Sequence, residues 1–169
     1  MGILPVAYEP VFGVVIALLS LVAIIEDVRR LTIPNWISIA LVVVFLLYVT
    51  LSRSPPPLLA HILVAGAVFA LGTVFFVLGW FGGGDVKLFA AVSLWAGPAQ
   101  IQPLVVIMSL IGAVLSLLIM ALRAWLMKDP RRAERLPFAA LAIWAEKGVC
   151  PYGIAIGTAA LLTLPVRFF

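Results

Sequence analysis

Charge is scarce in this chain of 169 residues: Lys and Arg number 11, Asp and Glu 7, and together they make up 11% of the sequence. Soluble domains carry about a quarter charged residues. A water-facing globule with so little charge would leave wide apolar patches uncovered, which excludes an ordinary soluble fold. Cysteine is limited to Cys150, which rules out an internal disulfide and any paired-cysteine zinc site. No cluster of metal-ligating residues and no nucleotide-binding loop is present, so no metal or other cofactor is expected, and nothing marks a nucleic-acid partner. Basic residues are missing before the first apolar run, where Glu9 stands instead. The start therefore does not read as a cleaved signal peptide.

Apolar sequence is what the chain has in quantity: 65% is hydrophobic and mean hydropathy is +1.27. A bilayer core of about 30 Å is crossed by about 20 apolar residues in a helix. Five runs answer to that description, roughly Val11 to Ile25, Trp36 to Leu51, Leu58 to Leu78, Leu104 to Trp125 and Tyr152 to Val166. A sixth, from about Val86 to Ala96, is short for a span and fits a helix buried among the others. Punctuation agrees with these limits. Pro34-Asn35 opens the second run, Pro55-Pro56-Pro57 the third, and Pro98 and Pro103 bracket a turn before Leu104. Pro151 stands where a first-turn proline belongs. From Lys128 to Lys147 the chain is basic with an apolar island, Phe138 to Trp144, too short to span and better suited to the interface or the cytosol. The expected fold is an all-α membrane bundle of about six transmembrane helices, one domain over residues 1–169 in contact with the lipid bilayer.

The basic residues are distributed unevenly. With six spans, one side of the membrane receives Arg29, Arg30, Lys87, Arg123, Lys128, Arg131, Arg132, Arg135 and Lys147, and the other only Arg53 and Arg167. The positive-inside rule puts the richer side in the cytoplasm, with both termini outside. A five-span arrangement would scatter these charges over both sides.

Three of the acids, Glu26, Asp27 and Asp85, fall at membrane boundaries on that cytoplasmic side. Acids in such places are costly and are functional candidates by default. Each also has an ordinary explanation, because Asp27 could pair with Arg29 and Arg30, and Asp85 with Lys87. The surroundings of Asp85 favour function. Gly82-Gly83-Gly84 precede it, leaving the backbone free to take positive φ and to let another chain come close. Topology sets Asp27 and Asp85 at one depth on one side. Two adjacent carboxylates do not both ionise cheaply, so one keeps a proton, which suits activation of a water against a peptide carbonyl. Glu26 points about 100° away from Asp27 around a helix and is read as a solvated boundary charge.

Gly82-Gly83-Gly84-Asp85-Val86-Lys87 resembles the Gly-x-Gly-Asp motif of membrane-embedded aspartic proteases with the lysine common in prepilin peptidases. Asp27-Val28-Arg29-Arg30-Leu31-Thr32-Ile33-Pro34-Asn35 resembles the first-aspartate motif of the type IV prepilin peptidase family, and Pro151-Tyr152-Gly153 its last-helix element. The three occur in order across nearly the whole chain. The resemblance implies a catalytic pair, Asp27 and Asp85, with Gly82, Gly84, Lys87, Arg30, Pro34, Asn35, Pro151 and Tyr152 binding substrate or shaping the site. It implies bacterial inner-membrane localisation and cleavage, after a glycine at the cytosolic face, of prepilins or pseudopilins with a basic leader and a hydrophobic N-terminal helix. The chain departs from the large bifunctional members in having no paired cysteines and no cytosolic domain ahead of the first run, which puts the N-methyltransferase activity of those members in doubt here. The short form resembles the stand-alone peptidases of tight-adherence (Flp-type) pilus systems.

Other features have plainer readings. Gly153 and Gly157 form a helix-packing step, Asn35 suits a helix cap, Tyr152 an interfacial anchor, and the five tryptophans interfacial or packing places. His61 reads as incidental, on the outer side. Two rival functions stand beside peptidase activity. A small helical-bundle transporter would place its acids near the midplane rather than at one face. A non-catalytic subunit of a pilus or secretion assembly would tolerate Asp→Asn at either position.

Overall fold

The computed structural model describes residues 9–52, 54–128 and 139–164, and every described element is helical. The helices are α1 (Glu9–Arg30), α2 (Asn35–Leu51), α3 (Leu58–Val77), α4 (Gly83–Leu126), α5 (Ala139–Lys147) and α6 (Tyr152–Thr163). Arg53, Arg131, Arg132, Arg135 and Arg167, together with Phe138 and Val166 at two expected boundaries, lie outside the described residues. By length and composition α1, α3 and α4 are able to cross a membrane, and α2 and α6 are shorter apolar helices.

Prolines at the N-caps of α2, α3 and α6 (Pro34, Pro57 and Pro151) start these helices where expected, Pro151 one residue ahead of the first turn. α1 runs past the expected Ile25 and ends at Arg30, with Leu31 in the left-handed region at φ 54° and its amide on the Asp27 carbonyl at 2.9 Å. This is the helix-ending conformation that glycine usually takes. For a leucine it costs about 1–2 kcal/mol.

α4 is not one rod. Gly97 breaks it at φ 56°, ψ −168°. The ring of Tyr152 lies 5.2 Å from that of Phe81, and a Cβ on Gly112 would lie 3.0 Å from Tyr152 Cε1. In an unbroken helix, residues 81 and 112 would be about 45 Å apart. The chain therefore folds back at Gly97, and the short run Val86 to Ala96 forms the first arm of a helical hairpin. Residues 98–103, expected to be a turn between two prolines, are already helical. One glycine in a conformation that disfavours a side chain makes the whole reversal, and Pro98 then has the φ a helix start requires.

The core lies between α1, α2, the first arm and α6, around Ile16, Leu41, Phe45, Leu88, Val92, Trp95 and Ile156. α3 packs on α4 but buries only His61 and Gly72, presenting Leu59, Leu63, Leu71 and Val77 outward. An apolar all-round helix of this kind belongs against lipid, where close packing and buried polar contacts hold the bundle. α6 packs on α1 through small residues: a Cβ on Gly157 would lie 2.5 Å from Ile24 Cγ1 and 3.0 Å from the Ser20 carbonyl. The Gly153–Gly157 step is thus the packing face its spacing suggests.

Candidate active site

Three helix ends meet near one face of the bundle: the last turn of α1 and the first turns of α4 and α6. Asp27, only 4% exposed, accepts a 2.7 Å hydrogen bond on Oδ2 from the Gly153 amide in the first turn of α6. Near the C-terminus of its own helix a carboxylate is electrostatically disfavoured, whereas the N-terminus of α6 supplies unpaired amides and a positive dipole end. The anchor of Asp27 thus comes from 126 residues away in sequence. Asp85, in the first turn of α4, accepts a 3.2 Å bond on Oδ2 from the Gly82 amide, the reaching-back half of a capping box. The segments that carry the two carboxyl groups come together at Ile33.

Ile33 joins the two sides. A Cβ on Gly84 would lie 3.2 Å from Ile33 Cβ and 3.3 Å from its backbone N and O, and one on Gly153 would lie 2.8 Å from Ile33 Cδ1 and 2.7 Å from Asp27 Oδ2. Any side chain at 84 or 153 pushes into this junction. The glycines before Asp85 therefore permit close approach at Gly84. They do not use positive φ, which among the described glycines is taken by Gly79, Gly97 and Gly148.

The ordinary ion-pair explanations for the aspartates do not hold. Among the described residues neither aspartate is ion-paired. Arg30 instead meets Glu26 at 3.2 Å one turn along α1, with Arg30 exposed and Glu26 half-buried, so Glu26 is a paired charge rather than the freely solvated one expected. Lys87 Nζ donates to Asn35 Oδ1 at 2.9 Å, tying the start of α4 to the start of α2. Asn35 is therefore a tether partner rather than the expected cap, since the cap of α2 is Pro34. Pro151 is fully buried at the start of α6, and Tyr152 packs on Phe81 and Gly112. Of the expected set, then, Gly82, Gly84, Pro34, Pro151 and Tyr152 line or brace the junction, Lys87 and Asn35 flank it, and Arg30 stands apart.

Two other hydrolytic chemistries, one using a histidine base and one a cysteine nucleophile, lack their parts among the described residues. The chain's one histidine, His61, lies at the far end of the first arm, so it cannot serve as a base beside Asp27. Cys150 Sγ sits 3.5 Å from Ser116 Oγ, and burial pushes its thiol up, opposite to what a thiolate nucleophile needs.

Sequence reading missed three contributors. Gly153 was read as a packing step and as part of a motif, but its amide anchors Asp27. Ile33 was read only as part of a motif, and the left-handed Leu31 aims the chain that carries it. The overlooked signal for Gly153 was its place right after Pro151-Tyr152, where a new helix exposes its amides. His61 is not incidental: it is 3% exposed, its Nδ1 lies 2.7 Å from the Leu94 carbonyl, and its ring stacks on Phe45 at 5.5 Å. Pro98, four residues after Leu94, has no N–H to offer that carbonyl, and His61 donates in its place.

The profile described as the type IV leader peptidase family matches residues 14–117, which include both aspartates and stop short of Pro151-Tyr152-Gly153. No curated protein and no solved structure matches the chain.

Proposed function

The chain belongs to the type IV leader peptidase family, and on that premise we propose that it is an aspartic endopeptidase working through Asp27 and Asp85. The observation that carries this reading is that the helix ends bearing buried Asp27 and half-buried Asp85 converge at Ile33, with neither aspartate ion-paired among the described residues. One carboxylate takes a proton from a water while the other, protonated, gives its proton to the peptide carbonyl oxygen as the water oxygen bonds to the carbonyl carbon. On collapse of the tetrahedral diol, the C–N bond breaks, the amide nitrogen takes a proton from one carboxyl, and a diol proton returns to the other. Positioned acid and base catalysis of this kind is worth about 10²–10⁴-fold.

The substrates we propose are prepilin-like precursors with a basic leader and an apolar helix, cleaved at the cytoplasmic face of a bacterial inner membrane. The uneven distribution of Lys and Arg supports that orientation. Co-expression with a candidate prepilin, scored by a mobility shift, tests activity and substrate class together. An unshifted precursor beside a well-inserted protein contradicts the reading. Orientation is tested separately: an impermeant thiol reagent applied outside should label a cysteine placed near Ser54 and miss one near Arg132, and the reverse pattern overturns the cytoplasmic site.

A further inference from the structure

Gly148 to Tyr152 carry the chain from α5 into α6, and one stripe of the second arm of α4, the part after Gly97, lies along them. A Cβ on Gly112 would lie 3.0 Å from Tyr152 Cε1, and Ser116 Oγ donates to Cys150 Sγ at 3.5 Å. A Cβ on Gly148 would overlap the Arg123 guanidinium. Residues 112, 116 and 123 fall within about 40° of one another around a helix, and Ile119 on the same stripe is buried. The register is antiparallel, since the arm meets the connection from Tyr152 back to Gly148 as it runs from Gly112 to Arg123. Over that stretch the arm rises about 16 Å. Four steps of extended chain reach about 14 Å, so the connection is a nearly taut strap.

Gly148 is where the strap is fastened. α5 ends there, with Gly148 at φ 64° and the Val149 amide donating to the Trp144 carbonyl at 3.1 Å, the usual glycine-terminated helix end. Such an end exposes carbonyls and a negative dipole end, which a cation satisfies. Arg123 supplies the cation: its guanidinium lies where a side chain on residue 148 would be, and among the described residues no acid is ion-paired with it. Residue 148 therefore needs both a left-handed backbone and no side chain. The other end of the strap is the first turn of α6, where the Gly153 amide donates to Asp27 Oδ2 at 2.7 Å.

We propose that Arg123 is a positioning residue, which fastens the strap at Gly148 so that the first turn of α6 presents the Gly153 amide to Asp27. The inference rests on the peptidase reading and adds what holds one of its two carboxyl groups in place. The Gly157 contact fixes α6 against α1 one turn further along. The strap fixes how the first turn meets Asp27.

The experiment compares Arg123→Met, which keeps the apolar stem without the charge, with Arg123→Lys, which keeps a cation. The substrate is a synthetic peptide with a basic leader, a glycine and an apolar helix of about 20 residues. Arg123→Met should lower kcat about tenfold or more, given that a 1 Å displacement of a reacting group costs about 10²-fold. KM should stay nearly unchanged, because Arg123 touches no substrate, and Arg123→Lys should keep most of kcat. An unchanged kcat in Arg123→Met, or an equal loss in both variants, overturns the proposal. Cys150, the chain's one cysteine and a contact point of the strap, gives a second measurement that needs no turnover. Its labelling by N-ethylmaleimide in the folded protein should be several-fold faster in Arg123→Met and in Gly148→Ala than in the unsubstituted chain. Equal labelling rates in both overturn the strap even if kcat falls. Failure of the unsubstituted protein to cut the peptide overturns the peptidase reading, and the positioning role with it, whatever the labelling shows.

Discussion

The two ends of the first arm of α4 use glycine for opposite purposes. At the Gly82–Asp85 end the glycines have ordinary negative φ, and their value is the missing side chain: Gly84 lets Ile33 lie against the helix start beside two carboxyl groups. At the Gly97 end the value is the backbone itself, since φ of 56° turns the chain back, and a Cβ there would overlap the His61 imidazole as well. The polar groups differ in the same way. His61 meets an orphaned carbonyl at one end and is consumed by the fold, whereas the aspartates at the other accept only backbone amides and retain unused acceptor positions. One end is built to be satisfied. The other, on our proposal, is left open to react.

The sharpest way to break this contrast is at the aspartates. Asp27→Asn and Asp85→Asn should each lower cleavage by about 10²–10⁴-fold or more, and the double variant should be little worse than either, because groups serving one step are not additive. Membrane insertion should survive, and Glu26→Gln should retain substantial activity. A purified Asp85→Asn protein that processed a prepilin at a comparable rate would overturn the aspartic mechanism.

Next come the close-approach glycines. Gly153→Val and Gly84→Val should lower kcat by about 10²-fold, the scale expected when a reacting group shifts by about 1 Å. Full activity in both would mean that the junction is loosely packed. At the far end, His61→Leu should leave the Leu94 carbonyl without its donor and lower stability by about 1–3 kcal/mol, read as thermal unfolding in detergent. Its effect on turnover per folded molecule should be small, and a loss as large as that of Asp27→Asn would erase the distinction between the ends. The smallest effect expected is that of Lys87→Met. Cutting the tether to Asn35 removes a hydrogen bond worth about 0.5–1.5 kcal/mol, so KM should rise a few-fold with kcat nearly kept.

Much of this protein follows from local chemistry along the chain. Low charge and long apolar runs determine a helical membrane bundle, because a bilayer demands internally paired backbone over a known length. Prolines mark the helix starts, and the resemblance of three spaced motifs to the family points to Asp27 and Asp85 as the pair we propose. Tertiary structure decided the rest. That Asp27 is held by Gly153, that Lys87 answers Asn35 rather than Asp85, and that residues 98–103 are helix rather than turn all depend on which segments come together in space. His61 illustrates the reason best. A lone histidine near the start of an apolar helix carries no periodic or motif signal, and its partner carbonyl exists only because Pro98 orphans it 37 residues later. A hydrogen bond of that kind is written jointly by two distant segments, and only the folded chain brings both halves together.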